Sequence, residues 1–584
     1  MDIKIHKLEY FKKWLILGIF IGIAAGVGAL IFYYAIIYFQ GLFLGRIAGT
    51  QLPSPVGEGN IPYVPGNYIL IPVSILVGGL LSGLIVYKFA PEAEGHGTDA
   101  MIDSFHNKKG KIRSRVPIIK TIASAITIGS GGSAGREGPT AQITAGIGSF
   151  LSNIFRLDDN ERRIAVLVGT GAGIGTIFKA PIGGALLAIE VPYKRDFETS
   201  ALFPAIVASA IGYSIFGSIV GFQPIFGYYL SSFNPLNLPF YAVLGIACGI
   251  FAIFYVNIFY YIRRLFKSLK FSNYVKPMIG ALFVGFIALI FPEVMGVGYG
   301  WVQILYNGNL NSLPTFGLPL LAILLLLPFA KILATSFSIG SGGSGGVFAP
   351  GIFIGASVGL LFGILFNHIS PSIAVSVAPF VIIGSLAFMG AAGKIPISVL
   401  LMVTEMTGSL QLLPAAMIAV ALSYLFSGNH TIYGSQVPTR SDSPAHYGEY
   451  NKPILANMII GNLPLVDLSI SQDSKVPEAR KLIKTNRVSE LPVISTNGDV
   501  RRVVGMVSSY DLHMAKSSTI KPIKKTSIDC IKKEASARSA LKFMANNSIT
   551  WAPVISGNNY IGCITLNTIN NEYNKRLKES NSSL

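Results

Sequence analysis

Apolar residues run unbroken at three places for long enough to cross a hydrocarbon core of ~30 Å: roughly 14 to 39, 67 to 90 and 238 to 262. The run from Trp14 to Phe39 exceeds the ~7 to 15 residue apolar core of a signal peptide and reads as a retained first helix. Between 117 and 221, and again between 318 and 426, apolar segments are cut by Gly-rich stretches. A membrane admits such backbone only where it is buried in protein or lines a polar cavity. From about 440 the apolar runs stop, charges return, and short β-branched pieces alternate with amphipathic helical ones. The polar stretch Ser441 to Asn451 marks the change. The pattern predicts a mainly α, polytopic membrane region over 1–440, a linker over 441–452, and a soluble α+β region beyond.

The membrane region contains an internal repeat. IGSGGSAGREGP begins at Ile128 and IGSGGSGGVFAP at Ile339, ending on Pro139 and Pro350. KAPIGGALLAIE (Lys179 to Glu190) is answered by KIPISVLLMVTE (Lys394 to Glu405), with Lys, Pro and Glu in register. Four paired elements in one order fit a duplicated transporter fold, with repeats at about 67–221 and 277–426 and a site where the halves meet.

Composition narrows the class. The 584 residues are 51% hydrophobic and only 13% charged, against the ~25% charged share of an ordinary soluble domain, so a single soluble enzyme is excluded. Three scattered cysteines make neither a disulfide framework nor a metal-ligand spacing, and no metal is expected. The net charge of +18 invites a nucleic-acid partner, but the basic residues cluster between apolar runs: Lys4, Lys7, Lys12 and Lys13, then Lys108 to Arg115, Lys194 with Arg195, and Arg263 to Lys270. Segments 47 to 87, 222 to 238 and 296 to 317 have no Lys or Arg. That asymmetry reports topology, with both termini and the basic loops cytoplasmic, and gives no reason to expect nucleic acid.

The Gly-rich breaks carry the candidate chemistry. Glycines leave backbone N–H groups unshielded, and Pro139 and Pro350 suit the first turn of a helix. Each motif reads as a helix N-terminus inside the bilayer, where free N–H donors and the positive dipole end favour an anion. No ring of Asp and Glu lines these segments to hold a dehydrated cation, and neither copy has the Gly-Lys-[Ser/Thr] ending of a phosphate loop.

GREGP at 135 to 139, GVFAP at 346 to 350 and the tyrosine of NHTIYGSQV (Tyr433) closely resemble the CLC family of chloride channels and chloride/proton exchangers, over about residues 10 to 440. The resemblance implies two inverted helical repeats with broken helices, a homodimer with one pore per subunit, and a halide held by helix N-termini. It implies that Glu137 is the gating glutamate, whose carboxylate competes with the anion and leaves when protonated. It further places Arg136, Gly138, Val347, Phe348 and Tyr433 around the anion. Two positions depart from the family. Its GSGIPE motif is GHGTDA here (Gly95 to Ala100), so His96 stands where a serine helps coordinate the anion, and a histidine donates from either ring nitrogen. The exchangers' inner proton-accepting glutamate is replaced by Val191, leaving Glu190 as a structural helix-end residue and Asp196, Glu198 or His96 as substitutes.

Beyond the membrane region, VSELPVI with VVGMVSSYDL and SITWAPVI with YIGCITLNTI are two copies of one strand, turn and strand pattern. They resemble a pair of CBS domains, at 453–517 and 518–584. In such modules an Asp six residues after the strand glycine often holds a ribose; the first copy has Asp511, with Ser508 beside it, and the second has Thr568. The pair is expected to dimerise and stiffen the cytoplasmic face, with an adenine nucleotide at Ser508 and Asp511 as the other reading and no further cofactor. The chain therefore reads as a transporter rather than an enzyme, passing chloride across the cell membrane either channel-like or in exchange for protons. A fluoride- or nitrate-selective relative, a CBS-regulated divalent-cation transporter and a non-conducting nucleotide sensor stand as the other readings.

Overall fold

The computed structural model describes residues 8–582 apart from 230–232, 315–316, 447–453, 487, 499, 522, 524–528 and 548. Lys4, Lys7, residues 447–452 of the expected linker and the last two residues of the expected second CBS domain lie outside the described residues. The chain divides into two compact units, Met1–Ala445 and His446–Leu584.

The first unit is all helix. Its first half runs α1 (Tyr10–Gln40), α2 (Leu70–Phe89), α3 (Thr98–Asn107), α4 (Arg115–Gly129), α5 (Glu137–Ile154), α6 (Asp159–Ile177), α7 (Pro181–Glu190) and α8 (Leu202–Val220). Its second half runs α9 (Leu238–Ser268), α10 (Lys276–Ile290), α11 (Tyr299–Tyr306), α12 (Leu320–Gly340), α13 (Phe348–Ile369), α14 (Ala378–Gly393), α15 (Pro396–Met406) and α16 (Leu413–Phe426). Among the described residues, six helical stretches are long and apolar enough to span a membrane, three of them inside the regions that read as interrupted: Thr199–Val220, Leu320–Gly340 and Phe348–Ile369. The Gly-rich strings do not interrupt helices. They are the junctions where α4 hands over to α5 and α12 to α13.

The halves match element for element. α1 packs on α4, α6 and α8 as α9 packs on α12, α14 and α16. The repeat therefore takes in α1 and α9, both 31 residues long, which bounds of 67–221 and 277–426 leave out because these helices lack the Gly-rich strings. Equivalent elements also touch each other, α2 on α10 and α7 on α15, so they straddle the pseudo-two-fold axis.

The α7/α15 pair shows that the repeats are inverted. Glu190 at the end of α7 accepts from the N–H groups of Ile397 (3.0 Å) and Ser398 (2.7 Å) at the start of α15, and from the Ser398 hydroxyl. Glu405 near the end of α15 accepts from Ile182 (3.0 Å) and Gly183 (2.8 Å) at the start of α7. Each helix thus ends at the other's beginning, which only antiparallel neighbours do. A carboxylate on unpaired helix N–H groups satisfies both the donors and the dipole. Residues 441 to 445 belong to this unit rather than to a free linker: Ser443 is fully buried, and its hydroxyl bonds His106 Nδ1 at 2.7 Å.

The second unit repeats one motif twice. β1 (Ile470–Ser471), α17 (Val476–Asn486), β2 (Glu490–Asn497), β3 (Val500–Ser508) and α18 (Ser509–Met514) are followed by β4 (Ile531–Lys532), α19 (Ala537–Asn547), β5 (Trp551–Ser556), β6 (Asn559–Thr565) and α20 (Leu566–Ser582). In each sheet the first strand is parallel to the second and the second antiparallel to the third, and the register slips at Val493/Ile494 and again at Val554/Ile555. A division at 517/518 does not separate two cores. Met458, Ile460 and Leu463 pack into the second copy's core, while Ile520 packs into the first. Each copy thus covers part of its apolar surface with the other's leading segment. Arg501 joins the copies, lying 5.1 Å over the Tyr560 ring and pairing with Asp467 at 2.6 Å. Partial burial of the Asp467 carboxyl raises its pKa, but hydrogen bonds from Ser469 and Arg501 outweigh this and hold it below the usual carboxylate range.

Glu190→Ala leaves two N–H groups at the start of α15 without their acceptor and is expected to cost about 2 to 4 kcal/mol. Glu405→Ala costs less because its partner Ile182 is exposed. Thermal unfolding of the two variants in detergent measures the difference.

Candidate functional site

The two Gly-rich junctions bring two helix N-termini together. Gly135 N–H donates to the Gly346 carbonyl at 2.7 Å and Gly346 N–H to the Gly135 carbonyl at 2.6 Å, so the junctions join reciprocally on the pseudo-two-fold axis. A Cβ on Gly346 would fall 2.8 Å from the Gly135 carbonyl oxygen, so this approach needs glycine. From here α5 and α13 begin with their free N–H ends facing the interior.

Glu137 is the first residue of α5 and is 1% exposed. Its carboxylate crosses to the other helix: Oε2 accepts from the Ala349 N–H in the first turn of α13 at 3.3 Å, and Oε1 accepts from the Tyr299 hydroxyl. A negatively charged group thus sits on the N-terminus of α13, the place a small anion would take. Val347 and Phe348 open the same helix end, both buried, but the hydrogen bond to the carboxylate comes from Ala349. The Val347 carbonyl accepts from Tyr255 at 3.1 Å, and Phe348 packs edge-on against Phe178 at 5.0 Å. Gly138 serves the site by its missing side chain: a Cβ there would fall 2.0 Å from the His96 carbonyl oxygen. The first turn of α5 therefore rests on the loop that carries His96.

His96 lies in the turn before α3 and is 3% exposed. Its Nδ1 accepts from the Asp99 N–H at 3.4 Å. The neutral ring then carries its proton on Nε2, and that buried nitrogen has no hydrogen-bond partner among the described residues. The ring stands 5.5 Å from that of Tyr433 and borders a cavity of about 180 Å³ lined also by Asp99, Phe259, Arg263 and Ser435. Tyr433 is buried, its N–H donating to Thr431 Oγ1 at 3.1 Å and its hydroxyl facing Thr98. Glu137, His96 and Tyr433 are thus gathered around the start of α5.

Arg136 does not join them as an anion ligand. Its guanidinium pairs with both carboxylate oxygens of Glu58, at 3.2 Å for Nη1, and donates from Nη2 to the Ile177 carbonyl at 3.3 Å. It also lies 5.5 Å over each of the Tyr33 and Tyr299 rings. A buried cation needs a permanent counter-charge, and Glu58 supplies it. This pair lines a second cavity of about 350 Å³ with Tyr299 and Trp301, formed largely by the Lys/Arg-free loops.

Val191 is fully buried at the end of α7, its carbonyl accepting from Gln436 Nε2 at 3.0 Å. Of the acids named as substitutes, Glu198 accepts from the Tyr193 hydroxyl at 2.8 Å, with Arg440 3.5 Å away. Asp196 accepts from the N–H groups of Phe197 and Arg440 at 2.8 and 2.9 Å.

In the second unit, Ser508 and Asp511 close on each other. Asp511 Oδ2 accepts from Ser508 N (3.0 Å) and Oγ (2.6 Å), and Ser508 Oγ accepts from Asp511 N (3.1 Å), forming the cap of α18.

Reasoning from the sequence passed over Tyr299, Glu58 and Ala349. A signal for Tyr299 was present: GVGYGW (296 to 301) is the second-repeat counterpart of GHGTDA, with both leading glycines at positive φ in each copy. Lys120 and Lys331 clamp the two turns alike, donating to the carbonyls of Ala93 and Gly95 and of Val294 and Gly296. Val297 is thus the counterpart of His96, and Tyr299 that of Thr98.

Inverted helical repeats, six spanning stretches and helix ends meeting around a buried carboxylate define a multi-pass membrane transport protein. Residues 78–428 match the family model described as voltage gated chloride channel, and residues 460–518 and 520–574 each match the CBS domain model. The chain belongs to the CLC family and carries a C-terminal CBS pair. It is 30% identical over 428 residues to an uncharacterized protein of Methanocaldococcus jannaschii, covering 73% of this chain and 96% of that protein. It is 29% identical over 384 residues to the H(+)/Cl(-) exchange transporter ClcA of Salmonella agona, covering 63% and 79%. Among solved structures, a slow cyanobacterial Cl-/H+ antiporter shares the fold at TM-score 0.61 and 24% identity, covering 72% of this chain and 96% of that one. A CLC-type fluoride/proton antiporter shares it at TM-score 0.61 and 20% identity, covering 74% and 100%.

Proposed function

We propose that this protein carries chloride through the membrane along a path gated by Glu137, and that it is a transporter and not an enzyme. The observation that carries the reading is the Glu137 carboxylate seated on the N-terminus of α13, where it and an anion compete for one place. The ClcA relatives, named as H(+)/Cl(-) exchangers, support chloride as the substrate. Protonation removes the charge that holds Glu137 on the helix end, and the freed N–H groups then receive the anion.

His96 is the inner ligand in this reading. The unpartnered Nε2–H is a buried donor in want of an acceptor, and a halide supplies one. The loss of the acid at Val191 supports channel-like or weakly coupled conduction, while the exchanger relatives support proton exchange. The protein acts as a homodimer in the cell membrane with both termini cytoplasmic, as the basic patches and the family imply. The C-terminal pair dimerises and stiffens the cytoplasmic face rather than binding nucleotide, because Ser508 and Asp511 already satisfy each other.

Four measurements test this. In proteoliposomes, wild-type chloride flux rises as the pH falls, and Glu137→Gln is constitutively active and independent of pH. With a proton gradient imposed, a reversal potential at the chloride equilibrium value marks a channel and a displaced one an exchanger, whereas absence of chloride flux refutes the reading. His96→Ser changes the preference among chloride, nitrate and fluoride and the pH dependence of that preference; unchanged selectivity removes His96 from the path. Calorimetry with ATP, ADP and AMP shows no binding to the C-terminal pair.

A further inference from the structure

We infer that Tyr299 is the latch of the gate: by donating to the Glu137 carboxylate, its hydroxyl sets the pH at which the gate opens. The inference rests on the gating reading of Glu137 and adds the residue that tunes it. Tyr299 opens α11, is 2% exposed, and is held by Phe226 edge-on at 5.7 Å, by Phe178 at 6.4 Å and by the Arg136 guanidinium over its ring. Its hydroxyl has Glu137 as its partner, and its ring lines the 350 Å³ cavity, so it stands between that cavity and the carboxylate.

The groups that face Glu137 come from four directions. Arg136 on its own helix is neutralised by Glu58 from the α1–α2 connection. Tyr433 approaches from beyond α16, and α13 contributes the backbone N–H of Ala349. Tyr299 is therefore the one side chain shown to donate a hydrogen bond to the carboxylate among the described residues. A phenol donates more strongly to a carboxylate than to a neutral acid, so this bond favours the charged, pore-occupying form. Protonation weakens it and lets the side chain leave.

The sign follows. Tyr299→Phe removes the preference for the charged form, Glu137 takes up its proton more readily, and the gate opens at higher pH. Radioactive chloride efflux from proteoliposomes holding the full-length protein is measured across a pH series for wild type, Y299F, E137Q and the double variant. The expected result is a midpoint of activation raised by about one pH unit in Y299F, a tenfold change in proton affinity. The double variant is expected to be as pH-independent as E137Q, with the same efflux. A midpoint unchanged in Y299F, with E137Q independent of pH, overturns the latch alone. So does a double variant that departs from E137Q as far as Y299F departs from wild type, because Tyr299 then acts through packing. If E137Q keeps the wild-type pH dependence, the gating reading and the latch fall together. Should Y299F not fold, 3-fluorotyrosine placed at 299 keeps the ring and makes the hydroxyl a stronger donor. Its midpoint then moves to lower pH, and an upward or absent shift overturns the inference.

Discussion

A helix that begins inside a bilayer presents N–H groups with no water to bond to, and the membrane unit is arranged around that demand. Four of its helices meet the demand with carboxylates or with each other's junctions. α7 and α15 are capped by Glu405 and Glu190, each carboxylate taking two backbone N–H groups of the opposite repeat. α5 and α13 meet through the Gly135–Gly346 pair, and the end of α13 receives Glu137. The two answers differ in their partners. Glu190 also holds the Ser398 hydroxyl and is locked in place. Glu137 takes the Ala349 N–H of the opposite repeat at the longer distance of 3.3 Å and the Tyr299 phenol on its other oxygen. One physical requirement is thus met by a structural cap at one pair of helices and, under the proposed gating, by a displaceable one at the other.

Inversion supplies the second constraint. Backbone features recur faithfully: positive φ at Gly95 and Gly97 and at Gly296 and Gly298, and the lysine clamps of Lys120 and Lys331. Function then resides where the side chains break the symmetry. His96, with its unpartnered nitrogen, faces the cavity beside Arg263, whereas its counterpart is Val297. Tyr299 reaches Glu137, whereas its counterpart Thr98 faces Tyr433. A duplicated frame gives matched helix ends from the two repeats, and unlike side chains on it give the two turns different surroundings.

In the second unit the same economy appears with strands. Each copy's core takes in the other's leading segment, and Arg501 bridges to Tyr560 between them. The interleaving makes the pair a single compact unit, and the Ser508–Asp511 cap is part of its local structure.

The sequence alone determined the class and the repeat, and it singled out Glu137. Apolar runs must be buried in lipid, Gly-rich junctions before proline must begin helices, and GREGP and GVFAP are dense enough in such constraints to be read directly. It also singled out His96 and Val191 as departures, because a substitution in a motif is visible without coordinates. The tertiary structure alone decided what each group faces. Arg136 lies next to Glu137 in the chain yet pairs with Glu58, far off in sequence, because a buried cation takes whichever anion packing brings to it. Tyr299 follows an inconspicuous turn, and only the packing of α11 on α13, the helix whose start meets that of α5, places its hydroxyl on Glu137. Periodicity and motif report each residue's own preferences for lipid, helix or turn. Hydrogen-bond partners across the pseudo-two-fold axis are set by the packing of segments hundreds of residues apart, a relation that no local pattern encodes.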